Sequence, residues 1–418
     1  MLSVLEAAER IVAAVAPLAM ERVPLADALG CVLAEDAHSP ITLPHWDNSA
    51  MDGYAVHGDD IVGAAETHAI ALPVVGTIVA GGFAERELVR GEAMRIMTGA
   101  PLPSGADTVI RVEDTDAGLT RVRFLKDRDV RKNVRKRGED VHTGDVAIPA
   151  GTPIGAAQIG VLASIGFAEV PVHRRPRVAI LGSGDELVDI DGFADVLTGR
   201  RIVSSNRYTL EALVKLAGGV PISLGHAPDS LDAVRALLLA AVAESPDLII
   251  TSAGVSVGEH DHTRAAVEEL GTTLDFWRVR MRPGAPLGFG RVRGIPWIGL
   301  PGNPVSAMVT FELFARAAIR RMLGATRVHR QPVSVVLEEP VSIGAKLTHF
   351  YRAIVAPRAD GTLGARLTGP QGSGILTSMS LANALLVVPE DRSTVDAGER
   401  LSALLLGDDA GLSARFSL

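Results

Sequence analysis

Carboxylates, hydroxyls and glycines gather at three places where an apolar run gives way to a loop, an arrangement suited to holding a phosphorylated or oxyanionic ligand. After the run 177–181 stand Gly182, Ser183, Gly184, Asp185 and Glu186: two glycines that let backbone approach a ligand, then two acids. After the run 247–252 the chain continues to Asp261, with Ser252, Gly254, Ser256 and Gly258 offering hydroxyls and bare backbone N–H groups to cradle phosphate. A third loop, 299–306, carries Pro301, Gly302, Asn303 and Ser306 into a helix. Its N-terminus and hydroxyl face one end, a ready oxyanion site. Glu186, Asp229 and Asp261 each follow a strand of one expected sheet, so they can converge on a hard cation bridging phosphate oxygens. Asp261 equally suits a plain helix N-cap, and the sequence leaves both roles open. His260 and His262 lack further ligands at zinc spacing.

Just before the third loop, Arg278, Arg280 and Arg282 alternate and share one face if the chain is extended. That face is either a solvated surface strand or the wall of an anion site. Elsewhere, nine of the seventeen residues from Arg121 to Arg137 are Lys or Arg, which makes either a solvated basic hairpin or a run that attracts phosphates. The polar loop 47–54 and the turn 95–101 are unusually specific in composition, but Asp and Asn are ordinary turn residues.

The elements that must position these groups change style along the chain. Residues 1–42 read as helical, with one amphipathic stretch to about Val15 and a second around 25–33 entered through Val23 and Pro24. Ser3 and Glu6 form a capping-box pattern at the first helix. From Pro44 to Arg137 short β runs alternate with Gly and Pro: 69–75, 93–97, 108–111 and 120–124. Residues 153–165 return to helical spacing, so the β module reads as an insertion. Beyond 176, strands at 177–181, 247–252 and 297–300 alternate with helices near 208–217, 231–244 and from 261, as in βαβ units around a mostly parallel sheet. The helix after Asn303, with Pro304 at its first position, ends at Gly324. After Gln331 the chain is β again, with Asp360-Gly361 as a hairpin turn, and a small sheet or barrel is expected.

Composition agrees. The 418 residues are 47% hydrophobic and 22% charged, which excludes a mainly disordered chain. A net charge of −8 argues against a nucleic-acid-coating protein. The longest apolar stretch, near 236–243, is far short of the ~20 residues that span a bilayer, and Glu6 and Glu9 interrupt any signal-peptide pattern. The lone Cys31 cannot form an internal disulfide, which points to a reducing cytoplasm.

Six co-linear motifs carry a resemblance: 47–54 (DNSAMDGY), 97–101 (MTGAP), 135–140 (RKRGED), 184–187 (GDEL), 254–258 (GVSVG) with Asp261, and 299–306 (GLPGNPVS). Together they resemble the MoeA family, molybdopterin molybdenumtransferases, to which the E domain of gephyrin also belongs. The resemblance implies an α/β plus β, multidomain fold. A discontinuous helical domain (1–43 and 138–175) would carry an inserted β domain (44–137). A MoaB/Mog-like three-layer α/β domain (176–326) and a C-terminal β-barrel (327–418) would follow. It further implies that molybdate is inserted into adenylylated molybdopterin with release of AMP and Mg²⁺ held by Glu186, Asp229 and Asp261. Nucleotide and pyrophosphate would lie on Gly182–Glu186 and Thr251–Gly258. Molybdate would be drawn to Arg282, Pro286 and Ser306, with Arg278, Arg352 and Ser373 nearby. Asp47 and Thr98 would be contributed across a homodimer, and a molybdopterin adenylyltransferase would act upstream.

This chain departs from the family at the oxyanion site. Arg282 and Ala285 stand where lysines are common, Arg278 stands for another lysine, and Ala253 replaces a glycine. Arg is planar and bidentate where Lys is a point charge, so these changes bear on oxyanion affinity and on molybdate against tungstate. A molybdopterin adenylyltransferase is opposed by the extra modules. A non-catalytic, gephyrin-like scaffold would not need Asp47, Glu186, Asp229, Asp261 and Arg352 together.

Overall fold

The structure, a computed structural model, describes residues 1–254 and 262–407. Two compact units emerge. One comprises 1–34, 151–155 and 169 onward; the other comprises 35–150 and 156–168. The chain is mixed helix and sheet, and each unit is assembled from segments separated in sequence.

The second unit is built on a five-stranded sheet, ordered Thr108–Arg111, Gly53–Val56, Ala93–Ile96, Ala65–Ile78 and Arg121–Lys126. Alternation along Gly53–Val56 sends Tyr54 and Val56 to one apolar layer with Phe124, and Ala55 to another with Met94 and Val109. The helix Ala156–Ser164 belongs to this unit.

The first unit holds a six-stranded sheet in the order Val220–Ala227, Arg177–Ser183, Leu248–Ser252, Ile295–Leu300, Pro286–Val292, Leu274–Arg278. The first four strands are parallel and the last two antiparallel. Val178 and Ile180 face the helices Ser205–Ala217 and Pro304–Thr310, whereas Ala179 and Leu181 face Leu231–Ala243 and His262–Glu269. Apolar layers on both sides explain why these strands read as near-continuous hydrophobic runs. The helix from Pro304 passes through a π-turn at Phe311–Ala315, continues as Arg316–Met322, and stops before Gly324, whose φ is +81°.

Five further strands close into a barrel: Thr348–Pro357, Leu363–Leu367, Val333–Leu337, Arg400–Leu405 and Ala384–Val388, the last pairing back to the first. The short strand Met281–Arg282 adds in parallel beside Thr348 and His349.

The expected helix around 25–33 does not form. Only a single 3₁₀ turn, Leu25–Asp27, follows the strand Met20–Pro24, which pairs antiparallel with Glu169–His173. Val32 and Leu33 are buried by bridges to Pro153 and Val172, and Gly30 takes a φ of +75° that no helix allows. Partners about 140 residues away override the local spacing.

Candidate functional site

In an open α/β sheet the ligand crevice lies where successive connections leave in opposite directions. Here the chain runs from Arg177–Ser183 to its neighbour Val220–Ala227 on one side, then crosses back to Leu248–Ser252 on the other. At the carboxyl ends of those strands opens a cavity of about 460 Å³. Gly182, Ser183, Glu186, Ser252, Gly254, Pro301, Gly302 and Asn303 all line it, so most of the loop residues singled out from the sequence meet in one place.

The glycines are required locally. Gly254 has φ +70°, and a Cβ there would sit 2.0 Å from Thr263 Oγ1. Glu186 folds its carboxylate back over Gly184, where a Cβ would lie 2.7 Å from Oε2. Ala253 takes φ +82°, a conformation that costs an L-residue about 1–2 kcal/mol and that glycine adopts freely. A Cβ at Gly302 would meet the Ala253 methyl at 3.1 Å, so these two loops touch.

Asn206, which sequence reasoning missed, ties the loops together. Its Nδ2 donates to Ser252 Oγ and to the Gly302 carbonyl, both at 2.7 Å. The only signal was a Ser-Ser-Asn run opening a helix. Asp229 lies apart from the cavity wall. The Asp185 N–H donates to its Oδ2 at 3.3 Å and its own N–H returns to Asp185 Oδ1 at 3.1 Å. Asp261, Ser256 and Gly258 lie outside the described residues. Among the described residues no three His, Cys, Asp or Glu side chains gather as a metal cage. Glu186, a hard oxygen donor on the cavity wall, fits a cation that relies chiefly on substrate phosphates.

A second cavity of about 850 Å³ shares Pro286, Asn303 and Ser306 with the first, so the two adjoin. Arg282, Arg352 and Ser373 line it. Arg352 is only 1% exposed. Its Nε donates to Ser378 Oγ at 3.0 Å and its Nη2 to the Gly372 carbonyl at 2.9 Å, while Gln371 Oε1 accepts from its backbone N–H. No carboxylate among the described residues pairs with it, and burial works against its charge. Asn303 Nδ2 donates to Ser373 Oγ at 3.0 Å, and the Val305 N–H to the Ser373 carbonyl, so the helix N-terminus and the barrel loop are joined. Gln371 was another residue without a sequence signal.

The arginine stripe is split. Val279 and Met281 are buried between the three arginines, as alternation requires. Of the three, Arg282 lines the cavity, whereas Arg280 pairs with Glu390 at 3.1 Å and Arg278 lies outside both cavities.

In the other unit, Asp47 accepts from Lys136 Nζ and from the Arg137 N–H, both at 2.8 Å. Partial burial pushes its carboxyl up, but these donors win and hold it below the usual range. Thr98 gives both its N–H and its hydroxyl to Asp52, which that pair likewise holds low. The segments carrying Asp47 and Thr98 are adjacent through the Asn48–Pro101 bridge. The basic run is partly compensated within this unit: Arg128 grips Asp114 with two bonds, Arg131 meets Asp59, and Lys136 meets Asp47.

Comparison with known proteins agrees with this geometry. Residues 2–166 match the MoeA N-terminal region (domain I and II), 179–321 a family described as a probable molybdopterin binding domain, and 334–406 the MoeA C-terminal region (domain IV). Molybdopterin molybdenumtransferase 2 of Mycobacterium tuberculosis is 38% identical over 91% of this chain and 93% of its own length. The molybdopterin molybdenumtransferase of Haemophilus influenzae is 34% identical over 92% and 94%. The crystal structure of the molybdopterin biosynthesis moeA protein from Pyrococcus horikoshii superposes with a TM-score of 0.82 at 28% identity, covering 97% of this chain and all of that one. Likeness in sequence and in fold over more than nine-tenths of the chain places this protein in the MoeA family of molybdopterin molybdenumtransferases.

Proposed function

We propose that this transferase of molybdenum cofactor biosynthesis inserts molybdate into adenylylated molybdopterin, with Mg²⁺-dependent release of AMP. The observation that carries the reading is Arg352: a buried guanidinium, without a carboxylate among the described residues, lining a cavity that adjoins the glycine-rich crevice. A buried cation without a counter-charge is costly, and a bound dianion removes that cost. Arg282, Ser306, Ser373 and Pro286 would complete the molybdate subsite, with guanidinium and hydroxyl donors suited to a tetrahedral oxyanion. Gly182, Ser183, Gly184, Ser252 and Gly254 would hold nucleotide and pyrophosphate on backbone N–H groups and hydroxyls, with Pro301, Gly302 and Asn303 shaping the far wall. Arg278 would act from outside, as part of the positive field.

Glu186, Asp229 and Asp261 would hold the Mg²⁺, which supplies neutralisation of the charge that develops on the departing AMP phosphate. We also propose a cytoplasmic homodimer in which Asp47 and Thr98 serve the partner's crevice, and an upstream molybdopterin adenylyltransferase. The division into 1–43 with 138–175, 44–137, 176–326 and 327–418 is part of the same reading. The test is AMP release from adenylylated molybdopterin on adding molybdate and Mg²⁺ to the purified chain. Stoichiometric AMP is expected; no AMP at saturating substrate refutes the reading.

A further inference from the structure

The oxyanion cavity holds an imidazole among side chains that offer donors. Arg282, Arg352, Ser306, Ser373 and Asn303 all present N–H or O–H donors. His349, 2% exposed, lines the same cavity and stands beside Arg282 in the pairing of strand Met281–Arg282 with Thr348–Pro357. Its Nδ1 lies 2.7 Å from the Leu347 carbonyl. A carbonyl only accepts, so Nδ1 carries the proton, and in the neutral ring Nε2 is a bare acceptor. The ring is further held by stacking on Tyr351, with centroids 5.5 Å apart and planes 20° from parallel. Nε2 has no hydrogen bond to a described residue. Only Asn206 Oδ1 and Thr272 Oγ1 are sealed away without a partner among the described residues, so Nε2 is not fully enclosed, and the residue that carries it lines the cavity.

A fixed acceptor is useless to a fully deprotonated oxyanion, which offers only lone pairs. It is useful where protons move. Replacing an oxide of molybdate by ligand atoms X obeys MoO₄²⁻ + 2 HX → [MoO₃X₂]²⁻ + H₂O. Two X–H bonds break, two Mo–X bonds form, one Mo–O bond breaks, and its oxygen leaves as water with both protons; the metal's oxidation state is unchanged. Those protons must travel from X to oxygen inside a site lined with cations.

We propose that His349 is the proton carrier of this exchange: Nε2 takes a proton from an incoming X–H and returns it to the departing oxide. The inference rests on the molybdate-insertion reading above. The ionisable and charged groups facing the ring are Arg282 on the adjoining strand and Tyr351 on its own, with Arg352 on that strand's other face; strand Ala384–Val388 presents Val388. Burial and the positive charge of Arg282 favour the neutral ring, as a proton acceptor at neutral pH requires.

The experiment measures cofactor formation by the full-length protein from molybdate and adenylylated molybdopterin between pH 5 and 9, for wild type, His349→Gln and His349→Ala. General acid–base catalysis contributes about 10²–10⁴-fold, so kcat is expected to fall about a hundredfold or more in both variants. The KM for molybdate should stay within about threefold. Wild-type kcat should fall as pH drops through the imidazole pKa, His349→Gln should lose that acidic limb, and added imidazole should partly restore His349→Ala. Unchanged kcat, or a loss confined to KM with the acidic limb intact, overturns the role of His349 alone. A wild type that forms no product at any pH overturns the insertion reading itself.

Discussion

Arg352→Met separates a functional arginine from a structural one. The substitution keeps most of the side-chain volume but removes the bonds to Ser378 and Gly372. Hydrogen bonds from a charged group contribute about 1.5–3 kcal/mol each, so about 3–6 kcal/mol is lost. Against this, an uncompensated buried cation carries a desolvation penalty of several kcal/mol, which Met does not. The terms nearly cancel. The ligand-free melting temperature should therefore change by less than about 8 °C, taking about 2 kcal/mol net at about 2–4 °C per kcal/mol. Molybdate binding should behave differently. Losing one charge-assisted bond of about 1.5–3 kcal/mol weakens affinity by about 10- to 150-fold. Equilibrium dialysis with molybdate and scanning calorimetry of the same samples measure both. A melting temperature that collapses by more than about 15 °C, or an unchanged affinity, refutes the argument that Arg352 is held for an anion.

Two other outcomes follow from local geometry. Gly284 has φ +99°, and a Cβ there would meet Thr310 Cγ2 at 2.4 Å. Gly284→Ala should cost about 2–5 kcal/mol from left-handed strain plus overpacking in urea unfolding. Adding Thr310→Ser, which removes the methyl but keeps the hydroxyl bonds to the Ser306 and Ala307 carbonyls, should recover about 1–3 kcal/mol; strictly additive losses would rule out the clash. Asp129 is 3% exposed; burial pushes its carboxyl up, but two bonds from Arg111, at 2.7 and 3.1 Å, hold it below 3.8. Because the native value is the lower one, this stabilisation is complete above pH 3.8 and fades as pH falls through the native value. Asp129→Asn should lower the pH 7 melting temperature and flatten the acid limb of the stability curve; an equally steep limb would show that another carboxylate governs it.

Much of this was legible because it is local. The loops after strands 177–183 and 248–252, the helix entered through Asn303 and Pro304, and the Asp360-Gly361 hairpin are set by residues within a few positions of one another. The failures are long-range. Residues 25–33 have helical spacing, yet Val32 and Leu33 are claimed by Pro153 and Val172. The three arginines alternate as read, but Glu390 draws Arg280 away from the cavity. The basic run could be read either way, and the Asp114, Asp59 and Asp47 that pair with its Arg128, Arg131 and Lys136 are brought in by the fold. Asn206 reaches Ser252 and Gly302, Gln371 reaches Arg352, and His349 comes beside Arg282 through strand pairing, and no spacing rule announces such contacts.

The N-terminal segment is bound to strands made much later, and this bears on how the protein is synthesised. Leu2 bridges Val279, the Met1 carbonyl accepts from Arg280, and Arg10 meets Asp275. Those partners emerge roughly 270 residues after the start, about 15–55 s later at about 5–20 residues per second. The sheet drawn from residues 53–126 is contiguous and can be complete on the ribosome well before then. The apolar face of the first helix, with Ala7 and Ile11, meanwhile waits uncovered. A nascent chain with that helix exposed for the interval is a natural client for a ribosome-associated chaperone.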